Sequence, residues 1–286
     1  MIENYLPQKR GFLARLWIDL LQLATHLERI LTLHYRPRRP PLSLSELEAD
    51  NTNLLNLKDD LVSPRDYDPD VSLLHLLHMQ SYVNLVIIVL HRPYVLEVPG
   101  HLDIHQQDKL KSTARKRVKE AAATLTAISS KLIALDWIDV SFSMLVTTTM
   151  TAAQIHFYEI KTSEGLSRQF ARNHYNLHVL ILAQLQRTYW TADYQHQLFT
   201  ETIKAVEEIE KNLRQLKAAT TTTRDTNHPT FNSASTVSDL ASDNAASAQL
   251  LEPVEAAEAG TPGLEELFLS FDPNPFLSLP TDPSNT

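Results

Sequence analysis

The chain is predicted to fold as an all-α, multi-helix domain followed by a disordered acidic C-terminal tail, and three observations predict it. Up to Leu216, apolar residues recur at three- and four-residue steps, the spacing that gathers them on one face of a helix. No stretch alternates apolar and polar residues as a half-buried strand would, and five glycines in 286 residues leave little turn-rich β character. Past residue 217 the composition shifts to Thr, Ser, Ala and Asp, beginning with Thr220-Thr221-Thr222-Thr223, which predicts disorder. The expected division is therefore 1–217 for the helical domain and 218–286 for the tail.

The elements follow in order. Phe12, Leu13, Leu16, Leu20, Leu23, Leu27, Ile30 and Leu31 form one stripe, predicting a helix over 12–34. Residues 35–70 carry Pro37, Pro40, Pro41, Pro64 and Pro69 among polar and acidic neighbours. They are expected to form a long loop with a short turn at 43–48, and loops of that length are functional or lie across a larger fold. A buried helix follows over 71–91. It closes near His91, because Pro93 lacks the amide donor and disfavours helical angles in Arg92 before it.

Val98-Pro99-Gly100 makes a turn, and a helix begins near Gln106 or Asp108 and runs to about Leu135, basic in its first half and apolar in its second. Asp136 offers an N-cap for a helix over 137–160 with Phe142, Leu145, Met150 and Ala153 on one face, although Thr147-Thr148-Thr149 are poor helix formers. Gly165 breaks the pattern and 166–189 resumes it. The last helix spans 194–216, with Leu198, Ile203, Val206, Ile209 and Leu213 in phase.

Composition excludes several function classes. With no cysteine there is no disulfide framework, thiolate metal cluster or cysteine nucleophile. The net charge is −8, and the tail holds ten acidic residues against Arg224 alone, so the acidity belongs to the tail. Residues 1–11 are polar and basic without the apolar core of a secretory signal, so the chain is expected inside the cell. The run 82–90, interrupted by Asn84, falls short of a bilayer span.

Neither a glycine-rich phosphate loop nor a G-x-S-x-G elbow occurs, and Ser141-Phe142-Ser143 reads as helix surface. No catalytic residue, cofactor or metal is nominated, and the chain is expected not to be an enzyme. The histidine pairs His75/His78, His101/His105 and His174/His178 could each share a face. A zinc site needs a third ligand, and none shows the His-Glu-x-x-His arrangement. His75, His78, His174 and His178 are instead expected at the edge of the core.

The basic run Lys109, Lys111, Arg115, Lys116, Arg117 and Lys119 has two readings, a nuclear-import or phosphate-binding patch and the solvated face of a helix. Its helical spacing favours the second. In the tail, residues 264–277 interleave Leu264, Leu267, Phe268, Phe271, Phe276 and Leu277 with carboxylates. Carboxylates repel one another and keep the bulky groups available to enter a coactivator groove as a short helix. Packing of the same residues onto the helical domain as a terminal anchor is the other reading.

The stretch ending Tyr82…His91-Arg92-Pro93 resembles the tyrosine-rich helix that closes on "hRP" in the regulatory domain of fungal zinc-cluster transcription factors, the middle homology region. Arg15-Leu16-Trp17 followed by Arg38-Arg39-Pro40-Pro41-Leu42 is similar to that family's "RRLWW…DR…GRPPLI" block. Ile18 stands where a second tryptophan is usual, and His26-Leu27-Glu28-Arg29 echoes the Asp-Arg pair loosely. A third block joins Leu177, Leu180, Leu182 and Leu185 to Tyr189-Trp190-Thr191-Ala192.

In collinear order the three blocks cover the C-terminal part of the usual domain, from Arg10 to about Leu216. The resemblance implies regulation of RNA polymerase II transcription in the nucleus, with a coactivator or another regulator as partner and homo- or heterodimerisation open. The family reads DNA through a cysteine-held zinc cluster, so no sequence-specific DNA binding is expected of this chain. The expectation is a truncated product, a degenerate copy or a partial gene model of a longer regulator. The alternatives are a cysteine-free interaction protein that sequesters a full-length regulator or coactivator and, ranked lower, a helical enzyme or lipid carrier.

Overall fold

The computed structural model describes residues 10–35, 43–61 and 69–224. Among these the chain is all-α, with helices α1 (Arg10–His34), α2 (Leu44–Asp60), α3 (Pro69–His91), α4 (Pro93–Leu96), α5 (Ile104–Ala134), α6 (Met144–Thr162), α7 (Gly165–Leu185) and α8 (Trp190–Arg224). Internal packing separates residues 1–203 from 204–286, a boundary that falls inside α8. In the first unit α3 is central and packs against α1, α2, α5 and α6, while α6 pairs most extensively with α7. The acidic segment 264–277, the tail past Arg224 and the Arg38–Leu42 block, including Arg39 and Pro40, lie outside the described residues; residues 218–224, expected in the disordered tail, instead continue α8.

α3 is the core because ten of the fifteen residues from Leu76 to Leu90 are both apolar and buried, Val83, Ile88 and Leu90 completely. By length and composition, Ser72–His91 is the one described stretch apolar enough to cross a bilayer, and 72% of it is buried inside the helical body. It ends at His91; Arg92 nevertheless keeps helical angles, φ −54 and ψ −43, so it is the donor missing from Pro93, and not the backbone of Arg92, that closes the helix. Pro93 then serves as the first residue of the short α4, a position where its missing donor is harmless.

Three further expectations are corrected. The long loop expected over 35–70 contains α2, a helix of 17 residues. Ser43 caps it, its hydroxyl accepting from the Glu46 amide at 3.4 Å, and Ser43 with Glu46 three residues later is the spacing of a capping box. The buried face of α2 is Leu47, Asp50, Asn51 and Leu54, a helical stripe with two polar members, which is why apolar periodicity alone overlooks it.

Asp136 does not start a helix; it ends one. It sits at φ +57, its amide bonds the Ile133 carbonyl at 3.0 Å, and the Trp137 amide reaches the Leu132 carbonyl at 2.9 Å. That pair of bonds is the Schellman closure of α5, which places a residue tolerant of left-handed geometry just past the last turn. The next helix begins only at Met144, leaving Phe142 on the connection before it. Within α6 the threonines are accommodated by returning their hydroxyls to the preceding turn, Thr148 to Leu145 at 3.0 Å and Thr151 to Thr147 at 2.8 Å.

The third correction concerns the histidines. His78 and His178 are not at the edge of the core but are 1% and 0% exposed. Only His75 and His174 keep partial exposure, while His101 and His105 are exposed.

Candidate functional site

Two clusters in the first unit contain more chemistry than packing requires. One is an open cleft of about 560 Å³. α1 contributes Leu13, Ala14, Leu16, Trp17 and Leu20, and α3 contributes His75, His78, Met79 and Tyr82. Each set follows helical one-face spacing, so two straight helices suffice to line two walls. Phe142, from the connection that Asp136 opens, supplies the third wall.

Leu16 is buried, whereas Trp17 is 61% exposed at the rim, beside Ile18 and Leu21 at 50% and 53%. Among the described residues no Asp, Glu, Lys or Arg side chain lines the cleft. The Phe142 ring packs on both histidines, its centroid 5.3 Å from His75 and 4.7 Å from His78, and Tyr82 lies 6.0 Å from His78 on the other side.

His78 is the unusual group. Neither ring nitrogen has a hydrogen-bond partner, and burial, followed by the neighbouring His75, lowers its pKa to about 4. The imidazole is therefore neutral near pH 7, with one N–H and one lone pair both unused. An unpaired buried polar group costs about 1–3 kcal/mol, so the position is expensive to the fold as it stands. The backbone beneath Phe142 is held firmly. Buried Ser141 donates its hydroxyl to the Trp137 carbonyl at 2.7 Å, its own carbonyl accepts from the Tyr189 hydroxyl at 2.9 Å, and Gln184 donates to Asp139 at 3.0 Å.

The second cluster joins α5, α6 and α7. Thr126 Oγ1 lies 2.8 Å from His156 Nε2 and 3.0 Å from His178 Nε2, and it also reaches the Ala122 carbonyl at 3.0 Å. His156 Nδ1 meets Glu159 Oε2 at 2.9 Å, and Lys119 Nζ meets Glu159 Oε1 at 2.9 Å. Burial alone would raise the Glu159 pKa, but hydrogen bonds from His156 and Lys119 outweigh it and hold the carboxyl below its ordinary value. Glu159 is thus an ionised acceptor, and the proton on His156 Nδ1 points to it.

Burial, with His156 and His174 adding to it, keeps His178 neutral. Its one proton suits Nε2, donating to Thr126. The chain Thr126–His156–Glu159 has the hydrogen-bond order of a nucleophile, base and orienting acid. Thr126 is nevertheless buried and its one proton is also directed to the Ala122 carbonyl, so the arrangement reads as a polar clasp between three helices. Among the described residues no three His, Asp or Glu side chains are grouped to hold a metal ion.

The residues of the three sequence blocks separate into two places. Leu16, Trp17 and Tyr82 meet in the cleft, with Arg15 on α1 beside them paired to Asp19 at 3.2 Å. His91, Arg92 and Pro93 form a joint instead. His91 Nε2 lies 2.9 Å from Asn51 Oδ1 of α2, and His34 Nδ1 of α1 lies 2.6 Å from the Tyr94 hydroxyl. Tyr35 donates to the Val89 carbonyl at 2.7 Å, and Arg29 pairs with Asp50 at 3.1 Å. Tyr189 and buried Ala192 fix the α7–α8 turn, while Trp190 is 78% exposed.

The basic run follows α5 outward. Lys109, Arg115, Lys116 and Lys119 are exposed and Lys111 and Arg117 partly so. Lys116 and Arg117 face Glu120 at 4.0 and 3.7 Å, and Lys119 is committed to Glu159. Sequence reasoning passed over the convergence of His75, His78 and Phe142, for which the spacing of two histidines on an apolar helix was the available signal. No protein-family model, curated protein or solved structure matches the chain.

Proposed function

We propose that this chain is a regulator of RNA polymerase II transcription in the nucleus, whose helical body takes a small-molecule signal and restrains or exposes the acidic segment 264–277. The observation that carries this reading is the meeting of Leu16, Trp17 and Tyr82 at one apolar cleft. They belong to two blocks far apart in sequence, both of which resemble the regulatory domain of fungal zinc-cluster factors. A cleft of this size and lining suits a small organic ligand. The chain has no cysteine for a zinc cluster, so DNA targeting falls to another regulator, with which it would act as homo- or heterodimer, and output falls to a coactivator.

The test is a reporter assay with the whole chain fused to a heterologous DNA-binding domain, beside the same fusion with Leu267, Phe268, Phe271 and Phe276 changed to alanine. Activation that disappears in the mutant supports the reading; silence in both fusions removes it. A second reading, an interaction protein that sequesters a regulator, is favoured by the exposed Trp17, Ile18 and Leu21 on α1, an apolar surface of the kind that partners cover. It predicts that the unfused chain represses a reporter driven by its target and that Trp17→Ala relieves the repression. A helical carrier or enzyme ranks below both, because the cleft opens to solvent and holds neither carboxylate nor nucleophile.

A further inference from the structure

We propose that the α1–α3 cleft binds a neutral aromatic molecule carrying a hydroxyl, with its rings against Trp17 and Tyr82 and its hydroxyl bonded to His78. This rests on the sensor reading and names the class of ligand sensed. Three features of the cleft select the class. Half of its lining residues are aromatic or imidazole rings, Trp17, His75, His78, Tyr82 and Phe142, surfaces that favour flat partners in offset or edge-on contact. Among the described residues its walls have no charged side chain to compensate an ion, and stripping a carboxylate or ammonium of water without a counter-charge is prohibitive.

The third feature is His78 itself, 1% exposed with both nitrogens unpaired. A neutral imidazole offers one donor and one acceptor. A hydroxyl is the smallest group that can answer either, whereas a hydrocarbon answers neither. Phe142 packs over this ring at 4.7 Å and is itself 41% exposed, so turning one side chain outward uncovers the imidazole. The ligand's ring then takes over the stacking contact that Phe142 gives up.

The test is calorimetric titration of the full chain with 2-naphthol, naphthalene and 2-naphthoate. The expected result is that 2-naphthol binds about tenfold tighter than naphthalene, the worth of one hydrogen bond to a group otherwise left unpaired, and that 2-naphthoate binds weakest. His78→Phe should abolish the preference for 2-naphthol over naphthalene, and Trp17→Ala should weaken both alike. Equal affinity for 2-naphthol and naphthalene in the unaltered protein overturns the proposal, as does binding that Trp17→Ala leaves unchanged. Should His78→Phe fail to fold, those two comparisons still decide it. Binding as expected with no effect of 2-naphthol on the reporter would sink the regulator reading and leave the ligand class standing.

Discussion

The cleft and the clasp each bury histidines, and they differ in what those rings touch. In the clasp, Thr126, His156, His178, Glu159 and Lys119 bond across three helices at 2.8–3.0 Å. In the cleft, His78 is as deeply buried and bonds to nothing. Equal burial therefore has opposite meaning. A network bonded across helices holds them in one register even with His178 Nδ1 left over, whereas a ring with neither nitrogen bonded, among aromatic walls, is a position where the fold gives up stability. The partner count, more than the depth, separates architecture from a candidate site.

The largest expected effect tests the clasp. His156→Phe removes the donor to part-buried Glu159 and one of the three partners of the Thr126 hydroxyl, which should destabilise the first unit by about 3 kcal/mol. Urea unfolding followed by circular dichroism would measure it, and a loss under about 1 kcal/mol would erase the contrast between the two regions.

Acid gives the next effect. His78 and His91 are held near pKa 4 against the ordinary imidazole value of about 6.5. For His91 the cause is burial first and then nearby Arg117 and His34. Between those two values the unfolded chain binds protons that the folded chain refuses. Stability is therefore full above about pH 6.5 and falls as pH drops toward 4, by up to about 3 kcal/mol for each ring. Denaturant midpoints across that window should fall with acid, and His78→Phe should flatten the slope.

A smaller change is expected at the rim of the clasp. Lys119 is 62% exposed in its side chain, so Lys119→Met should lower stability by only about 0.5 kcal/mol, as exposed ion pairs do, and high salt should produce most of the same loss in the unaltered chain. Smallest of all is His78→Phe at neutral pH. Replacing an unpaired polar ring by an apolar one should leave stability within about 1 kcal/mol of the original, on the stabilising side. A marked loss would mean that His78 supports the fold as His156 does.

Legibility in the sequence followed the same division. The helical class and, to within a few residues, the ends of α1, α3 and α5 are readable, because helical stripes interrupted by Pro93 and Pro99 leave few choices. α2 is not, since Asp50 and Asn51 occupy its buried face and their partners Arg29 and His91 lie on other helices. The capping pair Ser43 and Glu46 was the readable clue. Asp136 reads equally as a start or a stop until its φ is known.

The cleft was legible only in fragments. Leu16, Trp17 and Tyr82 stand out by resemblance, but nothing in the chain says that Phe142 comes to rest on His78, because that contact is settled by the Schellman turn and by Tyr189 reaching Ser141. The full burial of His178 likewise depends on Thr126, fifty-two residues earlier.

The three bonds around Ser141 and Gln184 have a kinetic corollary. With the connection pinned before Phe142 and the Phe142 carbonyl taken by the Leu145 amide at 2.9 Å, the proposed uncovering of His78 would need no segment to unfold, only rotation about the bonds of one exposed phenylalanine. Such flips run on picoseconds to nanoseconds, whereas loop and domain openings extend to microseconds and beyond. Entry to the cleft would then be limited by diffusion and desolvation of the incoming molecule, and residence time by the contacts it makes once inside.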